Sequence, residues 1–143
     1  MKDLLTAIKQ KLQTELGYVR DADIFITEDE MLLPEAVKFP AVAIKDGRVT
    51  RTLDDKTTIG IDARVRVSAY AQVLKVEQSV MGDRGVLQMT ADIIAALEEN
   101  NLGLDGVYHA FATSIEASRL FGDRQEMIQK QTVELQYLRF KPR

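Results

Sequence analysis

The sequence predicts an α+β fold in which a mostly antiparallel sheet carries two amphipathic helices on one face, with a long projecting β-hairpin. The stretch Ile61–Val73, IDARVRVSAYAQV, alternates apolar and polar residues without a break, which is typical of a strand with one face on a core. At about 3.3 Å per residue this strand would be roughly 40 Å long, so it is expected to be central or to form one side of a hairpin. Helical periodicity flanks it at Met1–Leu16 and Arg84–Asn100.

The N-terminal third is predicted to contain a helix, a short strand and a loop. Met1–Leu16 carries leucine and isoleucine at helical spacing, and Gly17 follows where a left-handed C-terminal cap would lie. Ala22–Thr27 has the composition of a short strand. Glu28–Val37 is expected to be a loop with at most one helical turn, because Pro34 interrupts any longer helix.

The next segment is predicted to be the hairpin. Phe39–Ile44 is expected to be a strand with Pro40 at its first position, where a missing N–H is tolerated. The chain would then rise through Ile44–Thr52, turn near Leu53–Lys56 and descend into Ile61–Val73. The charged turn residues offer little to bury, so this hairpin is expected either to move freely or to be ordered by another subunit.

The C-terminal half is predicted to add a helix and two strands. A connector at Leu74–Gly82, with a helical turn at Val76–Val80, is expected to lead to a helix at Arg84–Asn100 capped by Asp83. A strand at Val107–Ser118 would follow, and then a polar turn at Ser118–Gln125 around Gly122-Asp123. The last elements are expected to be a strand at Glu126–Phe140 and a solvated tail at Lys141–Arg143. Strands joined by hairpins favour antiparallel pairing. Because no repeat or linker interrupts the chain, residues 1–143 are expected to form a single domain.

Composition excludes several classes of protein. The 45% hydrophobic and 29% charged content is ordinary for a soluble globular domain. A net charge of −3 gives no support for a nucleic-acid-binding protein, which would normally carry a basic excess. The sequence has no apolar run long enough to span a bilayer and no secretory signal at Met1–Leu16. Without cysteine there is no disulfide, thiol nucleophile or thiolate metal site.

The sequence offers little catalytic chemistry. His109 is the only histidine, and it is predicted to share one side of its strand with Val107, Phe111, Thr113 and Ile115. A lone histidine in such a place is more often a packed structural residue than a ligand, and it cannot form a two-histidine metal site. The serines, which are Ser68, Ser79, Ser114 and Ser118, lie in no nucleophile motif. An enzyme is therefore not expected.

Acidic and glycine clusters point to structural roles. Asp54-Asp55 and Glu28–Glu30 could supply metal oxygens, but neighbouring acids in loops are usually solvated or cap helices. Thr27 followed by Glu30 fits a capping box. Gly82 and Gly85 form no phosphate-binding pattern. Neither a cofactor nor a metal is predicted.

The outer face and the edge of the long strand remain as candidates for contacts. Arg64, Arg66 and Tyr70 share the outer face of the long strand, which is either a solvent face or a subunit interface, since arginine and tyrosine are enriched at interfaces. An exposed strand edge also favours pairing with a neighbouring chain.

The order and texture of the elements resemble the tail-terminator, or tail-completion and head–tail joining, proteins of long-tailed bacteriophages and prophages. The resemblance spans nearly the whole chain and rests on these stretches: MKDLLTAIKQKLQTEL, FPAVAIKDG, ARVRVSAYAQ, GVLQMTADIIAALEEN and KQTVELQYLRF. It implies a homo-oligomeric ring, of six subunits, that caps the tail tube and meets head–neck proteins. The chain would assemble in the host cytoplasm and reside in the virion tail, without membrane or sequence-specific nucleic-acid contacts.

On this resemblance the Lys45–Gly60 hairpin, called the arm below, is the first candidate for contact with a neighbour. The candidate interface residues are Arg48, Arg51, Asp54, Asp55, Lys56, Arg64, Arg66 and Tyr70. A negative net charge would also suit a channel through which DNA slides, because adhesion comes from basic side chains on phosphates. Three alternatives stay open: another neck or tail-tube subunit of related fold, a monomeric ligand-binding module, and an enzyme using His109 with a distant carboxylate.

Overall fold

A computed structural model describes residues 1–72, 80–82, 85–121 and 128–142 of the chain. Its helices and strands are α1 (Lys2–Glu15), β1 (Ile24–Ile26), β2 (Ala41–Leu53), β3 (Thr58–Gln72), α2 (Val86–Leu97), β4 (Val107–Ile115), β5 (Arg119–Phe121) and β6 (Ile128–Pro142). The expected helical turn at Val76–Val80, the Asp83 cap and the turn at Gly122-Asp123 lie wholly or mostly outside the described residues.

The six strands form one mixed, mostly antiparallel sheet in the order β1-β2-β3-β6-β4, with β5 also paired to β6. This arrangement confirms the predicted α+β class. The pairing of β1 with β2 is parallel. It departs from the antiparallel expectation because residues 27–40 connect these two strands by crossing the sheet and not by a hairpin.

The main core lies between the two helices and one face of the sheet. Leu4, Ile8 and Leu12 of α1 and Met89 and Ile93 of α2 are buried there. The inward-facing residues of β3 meet them, as the alternation predicts: Ala63, Val65, Val67, Ala69 and Ala71. Both helices therefore cover the same face.

The opposite face is covered at one end by residues 27–40, which are called the strap below. A second buried cluster lies beneath the strap: Ala41, Ala43, Tyr70 and Ile128, against Phe25, Leu33, Val37 and Phe39. The Phe39–Pro40 peptide bond in this segment is cis. Tyr70 lies on the predicted outer face but is 0% exposed, so it is not part of a surface: the strap, which sequence periodicity could not position, buries it.

The two helices begin or end at residues other than those predicted. Gly17 is not left-handed, because the chain already leaves α1 at Leu16, whose backbone N–H bonds to the Leu12 carbonyl. Gly85 is the N-cap of α2, with no side-chain cap bond, and the helix ends at Leu97.

The C-terminal strands also differ from the prediction. The predicted polar turn at Ser118–Gln125 begins with a strand, β5, because residues 119–121 pair with β6. The strand β6 continues to Pro142, so the predicted solvated tail is largely strand.

The expected single apolar side of β4 was wrong. Two β-bulges, at Val107/His109 and Ala112/Ser114, interrupt its pairing with β6. Val107 is consequently buried on the helix side, whereas Phe111 pairs with Gln136 and is exposed. A bulge adds one residue to a strand and thereby shifts its face pattern.

Candidate interaction surface

The arm is three strands wide and not two. β3 pairs with β2 from Leu53↔Ile59 inward, and on its other edge it pairs with β6 as far as Thr58↔Pro142. An isolated two-stranded hairpin is marginally stable in water, so the third strand stiffens the arm. Every residue from 48 to 57 is exposed. The arm is thus an ordered extension of the sheet with a solvated end.

The two aspartates at the end of the arm hold the turn. Asp55 Oδ1 accepts hydrogen bonds from the backbone N–H groups of Thr57 and Thr58, both at 2.7 Å, and from the Thr57 hydroxyl at 2.9 Å. The bonds from Thr57 hold the pKa of Asp55 below its ordinary value. Asp54 accepts from the Thr52 hydroxyl at 3.3 Å. Both side chains therefore have a local structural task.

A β-bulge lies where the arm leaves the body of the sheet. Asp46 pairs with Val65 and Val49 pairs with Ala63, so Gly47 and Arg48 together oppose Arg64. A Cβ at Gly47 would lie 2.8 Å from the Arg64 carbonyl oxygen. Glycine is required here because the two backbones approach so closely.

At this bulge, candidate interface residues of the arm and of the long strand lie together on the outer face. Arg48, Thr50, Asp62, Arg64 and Glu134 line a polar cleft of about 370 Å³. Arg64 Nε lies 3.2 Å from Asp62 Oδ1, and its Nη1 lies 3.2 Å from Glu134 Oε1. Arg64 is therefore compensated within its own chain, while Arg48 is exposed at the rim.

Arg66 fastens the strap to the sheet. Its Nε and Nη2 bond both oxygens of Glu30, at 3.1 and 2.7 Å, and Nη2 also lies 3.0 Å from Glu116 Oε1. The Lys130 ammonium lies 3.6 Å from Glu30 Oε1, and the Tyr70 hydroxyl donates to the Glu30 backbone carbonyl. A bidentate arginine–carboxylate pair of this kind is strong and directional.

The charges around Glu30 settle its protonation. Burial raises the pKa of Glu30, but the Arg66 hydrogen bonds and the charges of Lys130 and Arg66 outweigh it, so the pKa lies below its ordinary value. The same hydrogen bonds raise the pKa of Arg66. Burial lowers the pKa of Lys130, partly offset by Glu30. Glu30 is thus an anion that fixes the strap to the outer face of the sheet.

The eight predicted interface residues differ in where they lie and in how exposed they are. Arg48, Arg51 and Lys56 are exposed on the arm, Asp54 and Asp55 hold its turn, and Arg64 and Arg66 belong to ion pairs, with Tyr70 buried beside them. Sequence reasoning missed Glu30, which was assigned to a capping box with Thr27. No helix begins there: the Thr27 hydroxyl instead accepts from the Asp29 N–H.

Neither a metal site nor a membrane span is found in the part of the chain that the structure describes. Across residues 1–72, 80–82, 85–121 and 128–142, no three histidine or carboxylate side chains converge on a common point. No helix within those ranges has the length and apolar character needed to cross a bilayer.

Comparison with known proteins gives a likeness of fold. No family model and no curated protein matches the sequence. Among solved structures, the chain is similar to a chain of the "Virion of native gene transfer agent (GTA) particle", with a TM-score of 0.65. The likeness covers 95% of this chain and 94% of that chain at 16% sequence identity. At this identity it establishes a shared fold.

Proposed function

We propose that this protein is a structural component of a phage-type virion and serves as a tail terminator, a ring that caps the tail tube and joins it to the head. The observation that carries the proposal is the likeness, across nearly the full length of both chains, to a component of a gene transfer agent particle. The element order that the sequence shares with tail terminators supports the same role. Its work is assembly and not catalysis.

The arm supplies one side of the subunit contact in this proposal. A ring arises from a head-to-tail contact that joins two different patches on each subunit. Arg48, Arg51 and Lys56 are exposed on an extension that three paired strands hold in place. A stiff, charged extension loses little conformational entropy when it docks, which favours its use as a contact element.

A tube-length assay tests the terminator role. Polymerising tail-tube subunits are mixed with increasing amounts of this chain, and tube lengths are measured by electron microscopy. A terminator stops growth, so mean length falls as its concentration rises, and the added density lies at one end of each tube. A neck protein would bind an end without halting growth, and a tube subunit would be incorporated along the length. Unchanged lengths with no bound density would refute the role.

A further inference from the structure

A cavity of about 280 Å³ lies between the first turn of α1 and the helix-facing side of the arm. The apolar side chains of its wall are Leu4, Val49, Ile61, Ala63 and Val107. Arg51 and Lys141, which also line it, are exposed cations. Its volume lies just below the range of drug-sized ligand pockets, so it suits about one large side chain. This cavity with its two cations, called the socket below, is an apolar hollow beside positive charge.

The apolar surface of the socket continues toward the end of the arm. Leu53 on β2 pairs with Ile59 on β3, two residues beyond the pair of Arg51 and Ile61, so both lie on the same helix-facing side. Val49 is 44% exposed and Leu53 is 59% exposed. An exposed apolar patch with a charged rim marks a site of interaction with another protein.

The strap carries an exposed apolar group with the opposite charge around it. Leu32 is 68% exposed, and Met31 beside it is also exposed. Three exposed carboxylates flank this pair: Glu28, Asp29 and Glu35. A turn holds Leu32 in place, since Asp29 Oδ1 accepts from the Met31 N–H at 2.9 Å and the Asp29 carbonyl accepts from the Leu32 N–H at 3.0 Å. These five residues, called the knob below, form an ordered apolar projection that loses little conformational entropy on binding.

The knob and the socket cannot meet within one chain. The strap is bonded through Glu30 to Arg66 on the outer face of the sheet, whereas the socket lies on the helix-facing side around Ile61. Arg66 and Ile61 are five positions apart on β3, which is roughly 17 Å. Each of the two patches is therefore open only to another molecule.

We propose that the knob of one copy of this chain docks in the socket of the next copy, with Leu32 in the apolar hollow and the knob carboxylates beside Arg51 and Lys141. Charge selects this pairing, because cations rim the socket and carboxylates rim the knob. The contact joins two different patches of each subunit, as a head-to-tail ring requires. The inference rests on the proposed function, to which it adds the patch that receives the arm.

Cysteine crosslinking tests this contact. The chain has no cysteine, so introduced thiols can pair only with each other. Leu32→Cys and Val49→Cys proteins are mixed and oxidised, and a disulfide forms only where the two Cα atoms come within about 7 Å. Disulfide-linked heterodimers are expected to outnumber each homodimer about tenfold. Leu87→Cys, at an exposed leucine on α2, replaces Leu32→Cys in the control and should give a random mixture. Heterodimers no more frequent than in this control overturn the proposal.

Exchanging the charges across the contact provides a second test. The socket variant Arg51→Glu, Lys141→Glu and the knob variant Glu28→Lys, Glu35→Lys each bring like charges together, so self-association should weaken about tenfold in each. An equimolar mixture should regain wild-type association, because every contact in an alternating ring again joins opposite charges. Light scattering after gel filtration measures the masses. A mixture that associates no better than its two components overturns the proposal.

These readouts and the tube-length assay fail independently. Crosslinking and charge exchange report the contact between copies, whereas tube length reports termination. Shortened tubes without the crosslink between positions 32 and 49 would overturn this contact and leave the terminator role standing. The crosslink with unchanged tube lengths would support the contact and refute that role.

Discussion

Glu30 illustrates how one residue fixes the strap over one end of the outer face of the sheet. Both of its carboxylate oxygens bond Arg66, and its backbone carbonyl accepts from Tyr70, so the strap is fixed at the middle of β3. Its side chain is 15% exposed, which limits competition from water. Removing one partner of such a pair leaves the remaining charges buried and uncompensated.

Replacing Glu30 with glutamine is therefore expected to lower the free energy of unfolding by about 1–3 kcal/mol at pH 7. The folded-state pKa of Glu30 lies below its ordinary value of 4.5, so this contribution is present above about pH 4.5 and is lost as pH falls through the folded-state pKa. Urea unfolding of wild type and Glu30→Gln between pH 7 and pH 3 measures it. A stability difference that fails to narrow in acid would contradict this assignment.

Gly47 permits the close approach at the base of the arm. Gly47→Ala places a Cβ 2.8 Å from the Arg64 carbonyl oxygen, and backbone cannot move aside cheaply, so a loss of about 1–3 kcal/mol is expected. Gly17→Ala is the control, since a Cβ there would meet nothing within 4 Å. Its effect should stay within about 0.5 kcal/mol. Chemical denaturation compares the two, and equal effects would show that the bulge tolerates a side chain.

At the scale of elements, pairing with β6 is what keeps the arm ordered. Each residue from Thr58 to Gln72 has a partner on β6, including those beyond the helix layer. The turn at the end is held locally by Asp55, whose carboxylate accepts hydrogen bonds from the backbone N–H groups of Thr57 and Thr58. The end of the arm can therefore be altered without disturbing the body of the sheet.

Replacing Asp54–Thr58 with Asn-Gly tests this separation. The two-residue turn keeps Leu53 opposite Ile59, so the register of the arm is preserved. The free energy of unfolding should change by less than about 1 kcal/mol, because the replaced residues bury little apolar surface. Assembly into larger species should be lost, since Asp54, Asp55 and Lys56 are removed. Urea unfolding and light scattering measure the two effects, and normal assembly would exclude the turn as a contact.

The sequence predicted the elements that periodicity determines and missed those that depend on distant contacts. The inward face of β3 and the apolar stripes of both helices follow directly from spacing, and the structure confirms them. The partner of Arg66 lies 36 residues away in a loop, where no pattern connects the two. The bulges in β4 likewise depend on its pairing with β6, so alternation alone assigned Val107 and Phe111 to one side.

At the scale of the whole molecule, the two faces of the sheet are covered differently. The helices cover one face and make the core, while the strap covers only one end of the other face. The remainder of that outer face and the arm carry charged side chains at the surface. In the proposed ring, the arm would supply one contact patch and the body the other, because a closed ring joins two different patches of each subunit.

The measurement that tests this account most directly is mass by light scattering after gel filtration, across a concentration series, with negative-stain images of the largest species. Wild type is expected to form a closed ring of several subunits with a central hole. The double variant Arg48→Glu, Arg51→Glu should be folded but monomeric, and Lys9→Glu on α1, which reverses a charge away from the arm, should still form rings. A wild-type chain that stays monomeric at every concentration, or an arm variant that assembles as the wild type does, would contradict the account.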